Sequence, residues 1–373
     1  MSLSQQIKEF ALDLGYSRIG FTTADDFTEF YDILISRGQQ YDWYTKGGAQ
    51  ALSHTKIREN FPDARSIIAL VWDYSKVHFP DHLLDMIGRV YLSRCYSQPE
   101  DRINGSRLAL MKNYLSRLGC EVYSHRLIPD RWAAARAGTS NFGKNNFAYA
   151  DGIGSFITIS VLIINKELAY DEPTLENQCP ANCRKCIDAC PSKALYEPFA
   201  MNPSQCIAFH TFGFSSQGVV PEDVRESMGT KIHGCDICQE VCPRNQARLK
   251  QQMPPDPFLE MIAEDFSLVD VLHMPEGYYE TRIEPLMYNY IRNVRLFQRN
   301  AAIALGNTQD PAYIPELEKE LSSPDEMLRT HIAWALGRIG GRGAASVLNR
   351  HLSIETAEQV KKEIERILMQ WEP

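Results

Sequence analysis

Four cysteines fall within twelve residues of this chain, in CPANCRKCIDACP (179–191), and a second dense run, GCDICQEVCP, follows at 234–243. With Cys206 between them, Cys179, Cys183, Cys186, Cys190, Cys206, Cys235, Cys238 and Cys242 hold eight of the ten cysteines, and Cys95 and Cys120 lie outside. Disulfides fit poorly, because the chain opens without a secretory leader and a reducing compartment is expected. Paired C-x2-C spacings leave two tetrahedral zinc sites open. Two [4Fe–4S] clusters fit better. The bacterial ferredoxin run is C-x2-C-x2-C-x3-C-P, and its fourth cysteine ligates the other cluster. Cys183, Cys186 and Cys190 keep the x2 and x3 spacings and Pro191 follows; Cys238, Cys242 and Pro243 repeat the ending. Crossed ligation then sorts the thiols into two sets. One is Cys179, Cys183, Cys186 and Cys242; the other is Cys190, Cys206, Cys235 and Cys238. One spacing departs from the pattern, since three residues rather than two separate Cys179 from Cys183. Two adjacent clusters relay electrons and seldom finish chemistry, so a redox centre or substrate is expected elsewhere in the chain.

The other residues divide into a first domain over 1–170, the cysteine-rich segment over 171–250, a connective helical stretch over 251–290 and a repeat region over 291–373. In the first domain SIIALVW (66–72) and SFITISVLII (155–164) are apolar on both faces, as buried strands are. Leu108, Met111, Leu115 and Leu118 recur at helical spacing and Gly119 stops them. The opening residues place Leu3, Ile7, Phe10, Ala11 and Leu14 on one helical face. No stretch is apolar enough for a membrane span, and a cytoplasmic, monomeric protein is expected. No G-x-G-x-x-G or Walker A sequence appears. Residues 128–155 are rich in glycine, asparagine and charge, and read as a long pocket loop rather than a plain surface connection.

In the last region NAAIALG (300–306) recurs as HIAWALG (331–337), a period of 31 with four identities in seven. Each copy reads as a helix ending in glycine and followed by a second helix, the pattern of a short HEAT-type α-solenoid. Arg292, Arg295 and Arg299 lie at i, i+3 and i+7, and Arg329 falls one repeat after Arg299; Arg338 and Arg342 follow. A charged helical face is often only a solvated one. On a chain of net charge −8 such a row also suits a nucleic-acid backbone.

The architecture resembles the epoxyqueuosine reductases. The resemblance rests on LGYSRIGFTTAD (14–25), AARAG (134–138), GKN (143–145), GS (154–155), CRKCIDACPSKAL (183–195), QCIAFHT (205–211), HGCDICQEVCPRN (233–245) and the repeats over 300–340. It implies a multidomain α+β fold: a nitroreductase-like α/β cobalamin domain, a bacterial ferredoxin-like bicluster domain and a C-terminal HEAT-type α-solenoid. It implies two [4Fe–4S] clusters, cobalamin without a histidine ligand, and reduction of epoxyqueuosine to queuosine in the anticodon loop of tRNA. Lys144, Asn145 and Ser155 are the implied cobalamin contacts, and an arginine face of Arg292, Arg295, Arg299 and Arg329 the implied tRNA grip. A flavodoxin or ferredoxin is the implied electron donor.

One position departs from the family. It carries a proton-donor aspartate about six residues before an acidic residue–Arg pair. Asp130-Arg131 match the pair, but the earlier position falls on YSHR (123–126), where no aspartate stands. Asp130, if burial raises its pKa, and His125, which titrates near neutrality, are the candidate acids. This departure keeps two alternatives in view. One is a corrinoid iron–sulfur reductase of a small molecule; the other is a bicluster electron carrier with no catalysis of its own.

Overall fold

Five consecutive apolar residues, Ile67 to Val71, have no polar face to offer water, so they form a strand only where both sides are covered. The computed structural model of the chain describes residues 1–46, 50–94, 103–123, 128–174, 178–214, 218–286 and 293–371. It places all five at 0% exposure. They lie in a sheet built from β1 (Arg18–Thr23), β2 (Ser66–Asp73), β3 (Val122–Tyr123) and β6 (Ile157–Ile164); β4 (Asn141–Phe142) and β5 (Ala148–Tyr149) form a separate hairpin. The sheet order is β1-β2-β6-β3 and every pairing is antiparallel, with Ile67 opposite Ile163 and Leu70 opposite Ser160.

Helices cover both faces. Leu3–Asp13 and Ile103–Arg117 bring Ile7, Ala11, Met111 and Leu115 onto Phe21, Ile68, Leu70 and Leu162. On the other face Asp130–Arg136 sets Ala133 against Ile67, Val161 and Ile163. The sheet domain is therefore a helix–sheet–helix sandwich, as expected. The segment over 128–155 is not one loop: it holds the Asp130–Arg136 helix and the β4–β5 hairpin.

A third core runs from Tyr74 and Phe156 of the sheet domain through Ile207 and Ile232 of the cysteine-rich segment to Ala301 and Ile332 of the repeats. Leu259, Ile262, Phe266 and Leu272 join it, so residues 251–286 are a packed part of the molecule as well as a connection. Among the described residues no helix is long and apolar enough to cross a membrane.

The repeat region forms paired helices: Val294–Thr308 with Ile314–Glu320, Glu326–Ile339 with Gly341–Leu352, and Glu358–Trp371 closing the stack. The repeated glycines do not end their helices. Gly306 is internal to Val294–Thr308, and a Cβ there would stand 2.6 Å from the Ala335 Cα. Gly306 is needed for the close approach of two repeat helices, and Gly337 meets Ile367 in the same way.

The arginine row needs correcting. Arg299 is wholly buried, because Val294–Thr308 is covered along nearly all its length. Its guanidinium donates to the Gly218 and His210 carbonyls and to the Asn300 Oδ1. Asn300 in turn donates to the carbonyls of Thr211 and Ile232. Burial pulls the Arg299 guanidinium down to about 9, with Arg225 pushing the same way, and it stays charged at neutral pH. Arg329 is also buried and makes a two-pronged pair with Glu355 at 2.8 and 2.8 Å. Neither side chain can reach a phosphate. Arg295 is half-buried against Gln298, and Arg292 lies outside the described residues. The i, i+3, i+7 spacing identified a common helical face, but that face points into the protein.

Arg299 fastens the repeats to the helix that follows Cys206. Arg299→Ala should strand the His210 and Gly218 carbonyls without donors, at a cost of about 3 kcal/mol. The unfolding midpoint of cluster-loaded protein reads this directly, and an unchanged midpoint would contradict the role.

Candidate functional site

The cysteine-rich segment is built of one-turn helices that end as soon as they have placed a thiol. Lys185–Asp188 carries Cys186, and Ile237–Glu240 carries Cys238; the two helices pack together. Cys206 caps Ile207–Thr211, and Cys242 caps the turn Pro243–Asn245, both in extended backbone. All eight are free thiols.

Which thiols stand together is read from what each feels. The Cys186 thiol is pushed up first by burial, then by Cys242, and further by Cys179 and Cys183. Burial raises Cys206, and Cys190 adds to it. Burial pushes Cys235 up to about 12, with Cys206 next to it as a further cause. Cys238 is raised by burial, then by Cys235, Cys206 and Asp236, and least by Cys186. These influences link Cys186 with Cys242, Cys179 and Cys183, and Cys206 with Cys190, Cys235 and Cys238. Cys190, four residues from Cys186, stands with the far group.

The residues implied as cobalamin contacts sit at the seam to this segment. Lys144 Nζ donates to the carbonyls of Pro180, Ala181 and Cys183 at 2.9, 2.7 and 3.2 Å. Asn145 Nδ2 donates to the Tyr149 hydroxyl at 2.9 Å and to the Cys238 carbonyl at 3.2 Å. Ser155 donates from N to Asn245 Oδ1 at 2.9 Å and from Oγ to Gln239 Oε1 at 2.8 Å. All three side chains are buried. They latch the β4–β5 hairpin onto the cysteine loops rather than face an open corrin pocket. Gly154, at φ +89°, permits this approach, since a Cβ there would lie 2.2 Å from Asn245 Oδ1. The direction of these side chains depends on partners 36 to 93 residues away.

A cavity of about 370 Å³ opens between the sheet domain and the cysteine-rich segment. Phe30, Tyr41, Trp43 and Tyr44 form one wall, Phe209 and Phe214 the other, and Cys206 reaches it from the second thiol group. Trp43 packs edge-on to Phe209 at 5.1 Å and tilted on Phe214 at 5.9 Å. Trp43, Phe199 and Phe214 are 41, 38 and 44% exposed, so large apolar faces stand open around one chamber. Such a cluster of exposed aromatics marks a binding surface. Arg37 Nη2 donates to the Phe199 carbonyl at 2.8 Å, and the Tyr41 hydroxyl to the Met201 carbonyl at 3.1 Å, tying the two walls together.

Asp130 begins the helix at the chamber's edge, beside Arg131 and Tyr44. Its side chain is open to water on one side. Protein crowds the other sides, and that desolvation pushes the carboxyl up to about 7 against the opposing pull of Arg131. An accessible carboxyl with crowded surroundings is what a group on a cleft wall shows. Burial raises the Tyr44 hydroxyl, which keeps its proton at neutral pH. Arg131 Nη1 donates to the Asn146 carbonyl, which ties the start of the helix to the hairpin turn. His125 and Cys95 lie outside the described residues.

Residues 178–245 match the model of a 4Fe-4S double cluster binding domain, and residues 294–369 match HEAT repeats. Epoxyqueuosine reductase of Bacillus subtilis is 29% identical over 98% of this chain and 95% of its own length. That of Escherichia coli K12 is 28% identical over 90% of this chain. A crystal structure of an epoxyqueuosine reductase superposes at a TM-score of 0.85, covering 99% of both chains at 29% identity. Along nearly its whole length the chain is similar to epoxyqueuosine reductases, in sequence and in fold.

Another epoxyqueuosine reductase structure, solved with an epoxyqueuosine-modified tRNA-Tyr stem loop, superposes at a TM-score of 0.84. The double-cluster match removes the zinc reading, and the full-length superposition removes a bare electron carrier. The aromatic chamber was missed in the sequence. Trp43 and Phe214 are 171 residues apart, and no local pattern marks them as neighbours.

Proposed function

We propose that this chain reduces epoxyqueuosine to queuosine in tRNA, using two [4Fe–4S] clusters and cobalamin. The observation that carries the proposal is one cavity bounded by open aromatic faces, by the cluster-group cysteine Cys206 and by Arg131, with the Asp130 carboxyl, near neutrality, next to Arg131 at its edge. Cys179, Cys183, Cys186 and Cys242 hold one cluster, and Cys190, Cys206, Cys235 and Cys238 hold the other. Trp43 and Phe214 would offer apolar faces to cobalamin in this chamber, and Arg37 and Arg131 would offer charge to its polar side groups. Bound there, it supplies a metal centre that collects single electrons and delivers a pair to carbon.

The reaction breaks both carbon–oxygen bonds of the epoxide, forms a carbon–carbon double bond, and consumes two electrons and two protons as the oxygen leaves as water. Asp130 holds a proton for the departing oxygen, and Arg131 keeps the helix start that carries it in place. The clusters feed the chamber one electron at a time through the side where Cys206 stands. A flavodoxin or ferredoxin supplies them, in the cytoplasm, to a monomer. With Arg299 and Arg329 buried, the tRNA grip falls to other cations such as the half-buried Arg295 and the exposed Arg342.

Titrating cobalamin into cluster-loaded protein tests the cofactor. A saturable spectral change near one equivalent is expected, weakened about tenfold or more by Trp43→Ala through loss of a large buried face. No saturable change would remove cobalamin from the account.

A further inference from the structure

A second cavity, of about 480 Å³, shares no lining residue with the aromatic chamber. It opens between the residues that follow β2, the helical turn Arg89–Leu92, and residues 248–253, where the chain leaves the cysteine-rich segment. Its size is that of a small-molecule site. The buried rings of Phe79 and Phe156, with Val77 and Leu249, give it an apolar wall. Arg89, Arg248 and Lys250 line the same cavity, and Asp81 is the one acidic residue in the described lining. The acids that hold the two arginines stand outside that lining. Arg248 Nη2 donates to Asp73 Oδ2 at 2.7 Å, and Arg89 Nη1 donates to Glu240 Oε1 at 2.5 Å with Asp236 at 3.6 Å. These side chains are only 13 and 18% exposed, for Arg89 and Arg248, so both guanidinium groups are fixed in the wall and cannot swing out into water. A guanidinium has more N–H groups than these bonds use. Among the described residues nothing accepts from Arg89 Nε and Nη2 or from Arg248 Nε. Gln251, whose Oε1 accepts from Arg248 Nη1 at 2.9 Å, and Gln252 add exposed amides to the lining.

We propose that this cavity is a second binding site, one that takes a nucleoside monophosphate. Fixed cations with spare N–H groups suit a phosphate. An apolar wall beside them suits the flat face of a base, and side-chain amides suit its polar edge. No other described feature of the cavity calls for a second anionic group, and its volume leaves room for one nucleotide. The same chemistry is offered by a free nucleotide and by a nucleotide within tRNA. The site goes beyond the reduction proposed above, uses none of the residues assigned to it, and stands or falls apart from it.

The test is equilibrium binding to full-length, cluster-loaded protein without cobalamin, with AMP, GMP, CMP and UMP as probes and their nucleosides as controls. At least one nucleotide should bind saturably near one equivalent, and its nucleoside about tenfold more weakly or worse, for want of the charged contacts. Lys250→Ala should weaken the nucleotide about fivefold, the range of an exposed charge pair. Val77→Trp, which fills the cavity from its half-buried wall, should weaken it about tenfold or more, with the iron content and unfolding midpoint of the parent kept as the check on folding. Lys250→Ala alters only an exposed side chain and decides the matter if Val77→Trp does not fold. Trp43→Ala, in the aromatic chamber, should leave the affinity unchanged. Displacement of the bound nucleotide by a tRNA anticodon stem loop would assign the site to a nucleotide of tRNA, and simultaneous binding would assign it to a free one. No saturable binding of any of the four, a nucleoside that binds as tightly as its nucleotide, or binding lost in Trp43→Ala and untouched by Lys250→Ala and Val77→Trp would overturn the inference.

Discussion

Cys186→Ala should leave the protein with one cluster in place of two, about four irons in place of about eight, and turnover should fall to below about a thousandth. Cys238→Ala should do the same to the other cluster. The double variants separate crossed from uncrossed ligation. Cys186 and Cys242 are 56 residues apart in sequence, yet Cys242 raises the Cys186 thiol. Removing both should still cost only one cluster. Cys186 and Cys190 are four residues apart, yet belong to different groups, so removing that pair should cost both. Iron content and EPR of the reduced protein read the result. A Cys186/Cys190 double variant that keeps one intact cluster would contradict the crossed arrangement.

Asp130→Asn should lower turnover by about 10²–10⁴-fold, the range for a positioned general acid. The pH dependence carries the sharper statement. With its carboxyl near 7, Asp130 is protonated and able to donate below that pH and loses its proton above it. Single-turnover rates of the parent protein should therefore fall as pH rises through about 7, and the variant should lose that limb while binding tRNA equally well. A variant with an unchanged rate, or with the same alkaline fall, would move the acid role to another group of the chamber, with the protonated Tyr44 hydroxyl the nearest described alternative.

What was legible in the sequence followed the range of the physics involved. Ligand spacing is local chemistry, so Cys183, Cys186, Cys190, Cys238 and Cys242 announced two clusters, and the double-cluster match over 178–245 agrees. The strands at 66–73 and 157–164 and the repeated helices were legible because continuous apolar runs and fixed periods leave few alternatives. The illegible parts all depend on distant partners. Lys144, Asn145 and Ser155 lie in the motifs that pointed to them, but their donors are turned toward residues 180–183 and 238–245. Arg299 shows the same limit from the other side. A helical face of arginines is polar by sequence, and only the carbonyls of His210 and Gly218 explain why it is buried. Gly306 and Gly337 read as helix ends, whereas their function is to let neighbouring helices touch.

The central claim is that electrons entering the two clusters leave through the chamber beside Cys206 to open an epoxide on tRNA. The most direct measurement is anaerobic turnover of epoxyqueuosine-containing tRNA by cluster-loaded, cobalamin-supplied protein with a low-potential electron donor, the nucleosides being resolved by mass spectrometry. The account predicts conversion of epoxyqueuosine to queuosine at two electrons per product. Protein that holds both clusters and cobalamin, accepts electrons, and leaves the epoxide untouched would contradict it.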